Sequence, residues 1–248
     1  MYIHDLNSKC EKTILLIHPM LTNAKELKKT LVDRMKLDDV RIIIPDLSGH
    51  GKSRGVTYES SSKEASMLHR YFKAKGIGEI KFAFGASLGS NIIFELLKYK
   101  DIQIDSVIME GASAFENSYI KSFFYAKTLI GIKNLGKLSE NTSKKILSLS
   151  FNKKIAAIMA DELQSMSKES IENMVKDYAS VDLPYLRRRI QENLNFYYGT
   201  KDSNIKHAEK RLKSLYPKAN FFEWPYFKHC EKIYREPRSY AEILKSYL

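Results

Sequence analysis

Cysteine is scarce in this chain: Cys10 and Cys230 are the only two in 248 residues. Two are too few for a disulfide scaffold, and neither lies in a CxxC or Cys/His cluster with zinc-site spacing. A reducing cytoplasm fits this usage best. Proline and glycine are also sparse, at six and eleven residues, which excludes collagen-like repeats and low-complexity segments. Long apolar runs are missing as well. The longest near the start, Ile14 to Ile17, falls far below the ~7–15 residues of a signal h-region or the ~20 of a membrane span, so neither export nor membrane insertion is expected. Acidic residues run short of basic ones, 29 against 41, leaving a net charge of +12. Such a surplus can mark nucleic-acid binding, but no zinc finger, RNP-like aromatic motif or basic heptad region accompanies it. It reads as a solvated lysine-rich surface. The remaining composition, 44% hydrophobic and 28% charged, is that of a globular protein. The length suits one large domain, alone or with an insertion, and needs no metal or disulfide to support a core.

Short β-rich runs alternate with helical patterns over the first 110 residues, which predicts a mostly parallel sheet covered by helices on both faces. Strands are expected at Thr13 to His18, Arg41 to Pro45, Lys81 to Phe84 and Ser106 to Met109. Between them, Asn23 with Glu26 and Ser61 with Glu64 have the spacing of helix capping boxes. Leu27, Leu31 and Met35 mark the buried stripe of one helix, and Ala65, Leu68 and Phe72 that of another. From about Phe115 to Ile190 the pattern is helical throughout. Strand periodicity returns at Leu194 to Tyr198 and Asn220 to Trp224, ahead of a closing helix around Tyr240 to Leu248. One α/β domain, with residues 1–113 and 190–248 as core and a helical cap inserted at 114–189, accounts for this order.

Gly85-Ala86-Ser87-Leu88-Gly89 reads G-x-S-x-G and lies between an expected strand and an expected helix. A turn that tight holds its central residue in strained backbone geometry and needs small neighbours. Ser87 is therefore the candidate nucleophile. A serine hydroxyl needs a base, and the base an orienting carboxylate. Asp202 follows the strand ending at Tyr198, and His229 follows the strand ending at Trp224. Glu110, at the end of an earlier strand, is the alternative acid. The chain order is Ser, Asp, His.

With that order and elbow, the chain resembles the α/β-hydrolase superfamily, in its serine-nucleophile branch with a helical cap. It is most similar to small bacterial carboxylesterase-like hydrolases. The resemblance covers essentially the whole length and extends to Ile17-His18-Pro19-Met20, in the place of the family's His-Gly oxyanion turn, and to Asp46-x-x-Gly49-x-Gly51-x-Ser53 after the next strand. It implies that the N–H groups of Met20 and Leu88 form the oxyanion hole and that no cofactor or metal is needed. Pro19 departs from the family's glycine; lacking an N–H, it alters the loop without removing either donor. The implied activity is cleavage of a small-molecule carboxylic ester or thioester through an acyl-enzyme on Ser87. Carbon–carbon bond hydrolysis, lyase or acyltransferase chemistry, and a non-catalytic ligand-binding role, share the same scaffold.

Other conspicuous residues have blander readings. His18 and His50 are expected to structure their loops, and His4, His69 and His207 to lie at the surface or in helix packing. Cys230 is expected to pack, and Met159, Met166 and Met174 to fill a helical core. Arg187-Arg188-Arg189 is expected to face water near a helix end. Residues 117–190 carry ten lysines and three arginines against seven acids, so half of the net charge falls in the insertion.

Overall fold

The fold is that of a computed structural model, which describes residues 1–116, 118–203 and 205–248. Seven strands, β1 (Tyr2–Leu6), β2 (Thr13–Ile17), β3 (Arg41–Asp46), β4 (Glu79–Ala86), β5 (Gln103–Glu110), β6 (Leu194–Gly199) and β7 (Asn220–Trp224), form one sheet in the order β1-β3-β2-β4-β5-β6-β7. β1 runs antiparallel to β3, and every other neighbouring pair is parallel. β2 and β3 are buried at every position, as strands covered on both faces must be. Side chains alternate across the sheet: Leu15, Ile17 and Ala83 join one apolar cluster, whereas Ile14, Leu16, Phe82 and Phe84 join the other.

The antiparallel β1 is not among the strands expected from the sequence. Its Tyr-Ile-His-Asp-Leu run is half polar and partly exposed, so it lacks the apolar continuity of its neighbours. Pairing holds it in place. Its ladder runs from Tyr2 opposite Asp46 to Leu6 opposite Ile42, and the Arg41 guanidinium grips the Asp5 carboxylate through Nε (2.9 Å) and Nη2 (2.7 Å).

Helices connect the strands. α1 (Ala24–Leu27), a π-helical turn (Lys28–Val32) and α2 (Asp33–Met35) form one run after β2, with the Asn23 side chain accepting from Glu26 N–H as expected. α3 (Ser61–Ala74) follows β3 and α4 (Leu88–Leu96) follows β4. The cap of α3 is Ser60 rather than Ser61: Ser60 Oγ accepts from Lys63 N–H, while Glu64 turns inward and accepts from Ser48 N–H at 3.0 Å. Between β5 and β6 lie α5 (Tyr119–Leu138), α6 (Glu140–Ser148), α7 (Lys153–Ser165), α8 (Lys168–Ala179) and the short α9 (Arg188–Gln191). α5 packs on α8 and α6 on α7. Ala126, Leu129, Leu163 and Met174 of these helices share an apolar cluster with Ile92 and Val107 beneath them. Residues 180–187 are not helical, so Arg187 precedes α9 instead of ending a helix; all three arginines are exposed. α10 (Ile205–Leu215), α11 (Glu231–Arg235) and α12 (Pro237–Lys245) complete the chain. Among the described residues no helix is long and apolar enough to cross a membrane.

Candidate active site

β4 passes into α4 with Ser87 alone between them, at φ 51° and ψ −113°. A non-glycine residue there is strained, and the surroundings must enforce the conformation. They do so by close approach. A Cβ on Gly85 would stand 2.6 Å from the Gly89 carbonyl oxygen, and one on Gly89 would stand 2.6 Å from that of Ile17. The Ser87 N–H donates to the Glu110 carbonyl at 2.8 Å, tying the elbow to β5.

Three strand ends converge on this point. His229 Nε2 lies 2.9 Å from Ser87 Oγ, and its Nδ1 lies 2.6 Å from Asp202 Oδ2. An ionised carboxylate only accepts, so Nδ1 donates to it and Nε2 is left to take the serine proton. Asp202 sits in the turn after β6, its N–H bonded to Gly199 O at 2.9 Å. Its side chain is 1% exposed, against 28% for His229. Burial disfavours charge on the imidazole, but the Asp202 carboxylate hydrogen-bonded to Nδ1 favours it, and the direction for His229 is upward from its usual 6.5. Cys230 would add to that lift only as a thiolate. Burial raises its own pKa above the ordinary 9.0, so the thiol stays neutral and packs, its Sγ 3.5 Å from Glu110 O.

Glu110 is placed differently from Asp202. Its side chain is fully buried, and Oε2 accepts from Trp224 Nε1 (3.0 Å) and Tyr240 OH (2.9 Å), not from His229. Desolvation pushes its carboxyl up to about 7, against the pull of those two donors. The folded protein therefore holds this proton more tightly than the unfolded chain. Between pH 4.5 and about 7 stability is lost as pH rises. The loss is about 3 kcal/mol, since a tenfold difference in proton affinity is worth ~1.4 kcal/mol. Glu110→Gln keeps an acceptor for both donors and has no proton to lose. Its stability relative to the parent is expected to improve by most of that amount from pH 5 to pH 8, and urea unfolding at both values measures it. A pH-independent difference would refute the buried-acid reading.

The loop after β2 is held by two buried histidines. His18 Nδ1 donates to Pro19 O (2.8 Å) while Nε2 accepts from Leu47 N–H (3.1 Å). His50 Nδ1 donates to Ser48 O (3.1 Å) while Nε2 accepts from Leu21 N–H (3.1 Å). Accepting a backbone N–H requires a neutral ring. Burial lowers both pKa values, that of His50 to about 3. Pro19 O also accepts from Thr22 Oγ1 at 3.0 Å, so the loop is built around the proline carbonyl. Neither the Met20 nor the Leu88 N–H is taken by a loop or side-chain bond among the described residues, and both residues line the cavity with Ser87.

Two further carboxylates also position the site. Asp46 accepts from Ala24 N–H (2.9 Å), Lys52 N–H (3.0 Å) and His4 Nε2 (3.0 Å). Glu162 of α7 accepts from Asn23 Nδ2 (2.7 Å), Gly51 N–H (3.0 Å) and Arg54 (2.9 Å), fastening α7 to the loops beside the elbow. The turn motif starting at Asp46 hinted at the first; nothing marked the second.

A cavity of about 530 Å³ opens onto Ser87. Tyr125 of α5, Phe151, Met159 of α7 and Tyr178 of α8 line it, so Met159 contributes to the wall as well as to the core, whereas Met166 and Met174 are buried in the core. Lys121, Lys201 and Lys228 also border it.

No protein-family model and no curated protein matches the chain. Solved structures do. An α/β-hydrolase family protein from Desulfitobacterium hafniense matches with a TM-score of 0.73 over 99% of both chains at 14% identity. A structure from a study of carboxylesterases of the thaumarchaeon Nitrososphaera gargenis matches with a TM-score of 0.75 at 16% identity, covering 99% of this chain and 93% of that one. MenH from S. aureus matches with a TM-score of 0.71 at 16% identity, covering 100% and 97%. The chain has the α/β-hydrolase fold, as its elbow and the order of its strand-end residues led us to expect.

Proposed function

We propose that the protein is a serine hydrolase that cleaves a carboxylic ester or thioester, with Ser87, His229 and Asp202 as its triad and residues 114–189 capping a core of residues 1–113 and 190–248. The observation that carries this reading is the unbroken chain from Ser87 Oγ through His229 to Asp202, at 2.9 and 2.6 Å, on a strained elbow facing a cavity. Ser87 Oγ attacks the substrate carbonyl as its proton passes to His229 Nε2, and Asp202 stabilises the imidazolium. The oxyanion is received by the N–H groups of Met20 and Leu88, each such donor being worth about 3–4 kcal/mol where measured. Collapse breaks the ester bond, and the leaving alcohol or thiol takes the proton from His229. Water, deprotonated by the same ring, then releases the acid and regenerates Ser87. Apart from substrate and water, the steps use named groups of this chain and call for no cofactor.

The apolar and aromatic walls suit an acyl chain. Acyl esters and thioesters of increasing chain length, followed across pH, test the reading: kcat/KM should rise with pH along a limb centred above 6.5, because His229 must be neutral to act and Asp202 holds its proton. Absence of turnover on every ester and thioester, at every pH, would reject it.

A further inference from the structure

Helix α5 is apolar on both sides. Its inner side carries Ala126 and Leu129, both buried, and Ser122 and Tyr125, which line the cavity. Its outer side repeats the pattern towards solvent: Ile120 is 76% exposed, Phe123 58%, Phe124 65% and Leu138 85%. Ile120, Phe123 and Phe124 near its start, and Leu135 (44% exposed) and Leu138 near its end, share one face of a 3.6-residue helix, with Lys127 and Gly131 between the two groups. The cluster at Ile120, Phe123 and Phe124 is an unusual amount of large apolar surface to leave facing solvent, and such exposure marks a docking site. The charge on the helix says what docks. Over its 20 residues α5 has four lysines, Lys121, Lys127, Lys133 and Lys137, and no aspartate or glutamate. Lys133 turns inward to the Leu163 carbonyl at 3.1 Å, while Lys121, Lys127 and Lys137 are exposed.

We infer that the outer face of α5 docks on an anionic lipid surface, from which the active site takes its ester. Bulky apolar groups interleaved with lysine are the composition of a helix lying in the membrane interface, the rings entering the acyl boundary and the ammonium groups meeting lipid phosphates. A second copy of this chain is a poorer occupant. A two-fold interface would set α5 against itself, bringing cations together with no acidic residue on the helix to offset them. The position of the helix links docking to chemistry, since Tyr125 and Ser122 border the cavity that reaches Ser87. The inference rests on the hydrolase reading for its substrate, a lipid-borne ester, but not for the docking itself.

Flotation of the full chain with vesicles tests it. Binding is expected to mixed phosphatidylglycerol–phosphatidylcholine vesicles, to weaken as salt rises, and to be much weaker on phosphatidylcholine alone. Phe123→Ser and Phe124→Ser should each lower the partition coefficient roughly tenfold, and Lys127→Glu with Lys137→Glu should abolish the preference for anionic vesicles. All of these variants should hydrolyse a short soluble ester like the parent, which shows that they fold. Ser87→Ala should float with the vesicles while turning over nothing, so binding and catalysis fail separately. The inference is overturned if the parent floats with neither vesicle, if the phenylalanine variants bind unchanged, or if sedimentation shows a dimer that those variants dissociate.

Discussion

Replacing Ser87 with alanine should lower kcat by roughly 10⁶, the loss seen when a triad serine is removed and only binding and oxyanion contacts remain. The structure makes the variant a clean one. Among the described residues Ser87 Oγ has one side-chain partner, His229 Nε2, and the strained backbone at φ 51° is imposed by Gly85, Gly89 and the bond from Ser87 N–H to Glu110 O. Alanine keeps that N–H and the same Cβ, so the melting temperature should hardly move. A large drop in melting temperature would mean that the hydroxyl supports the fold, and unchanged turnover would remove Ser87 from the chemistry.

Asp202→Asn should lower kcat by roughly 10⁴. Asparagine fits the same space, but its amide can donate to Nδ1, which favours the tautomer with the proton on Nε2 and so blocks acceptance from Ser87. The lifted pKa of His229 should fall with it, because the carboxylate that favours the imidazolium is gone. Glu110→Gln should leave kcat within a few-fold of the parent, since Glu110 is bound to Trp224 and Tyr240. Steady-state kinetics of the two variants separates the candidates for the acid. The opposite ranking would transfer the role to Glu110.

The candidate triad was legible in the sequence because each member sits at a strand end, and strand ends are where an apolar run gives way to small or polar residues. Ser87 is flanked by glycines that close backbone contacts require, and Asp202 and His229 each follow a recognisable strand. The geometry adds what spacing could not give: the choice between Asp202 and Glu110 depends on which carboxylate reaches Nδ1. β1 has no such signature because an edge strand needs no continuous apolar run, only a partner such as β3. The cap of α3 lies one position earlier than its spacing predicts, since Ser60 and Ser61 are both competent and the choice depends on Asp177, which accepts from the Ser61 N–H. Glu162 was invisible for a different reason. It acts on loops more than 100 residues earlier in the chain, and no local pattern records a contact at that distance.

Whether Ser87 is a nucleophile activated through His229 can be decided by treating the protein with a fluorophosphonate and locating the adduct by mass spectrometry of its peptides. A single phosphonylated residue, Ser87, is expected, with labelling lost in Ser87→Ala and strongly slowed in His229→Ala. An adduct on Cys230 or on another serine, or no adduct under conditions that label a known serine hydrolase, would contradict that assignment.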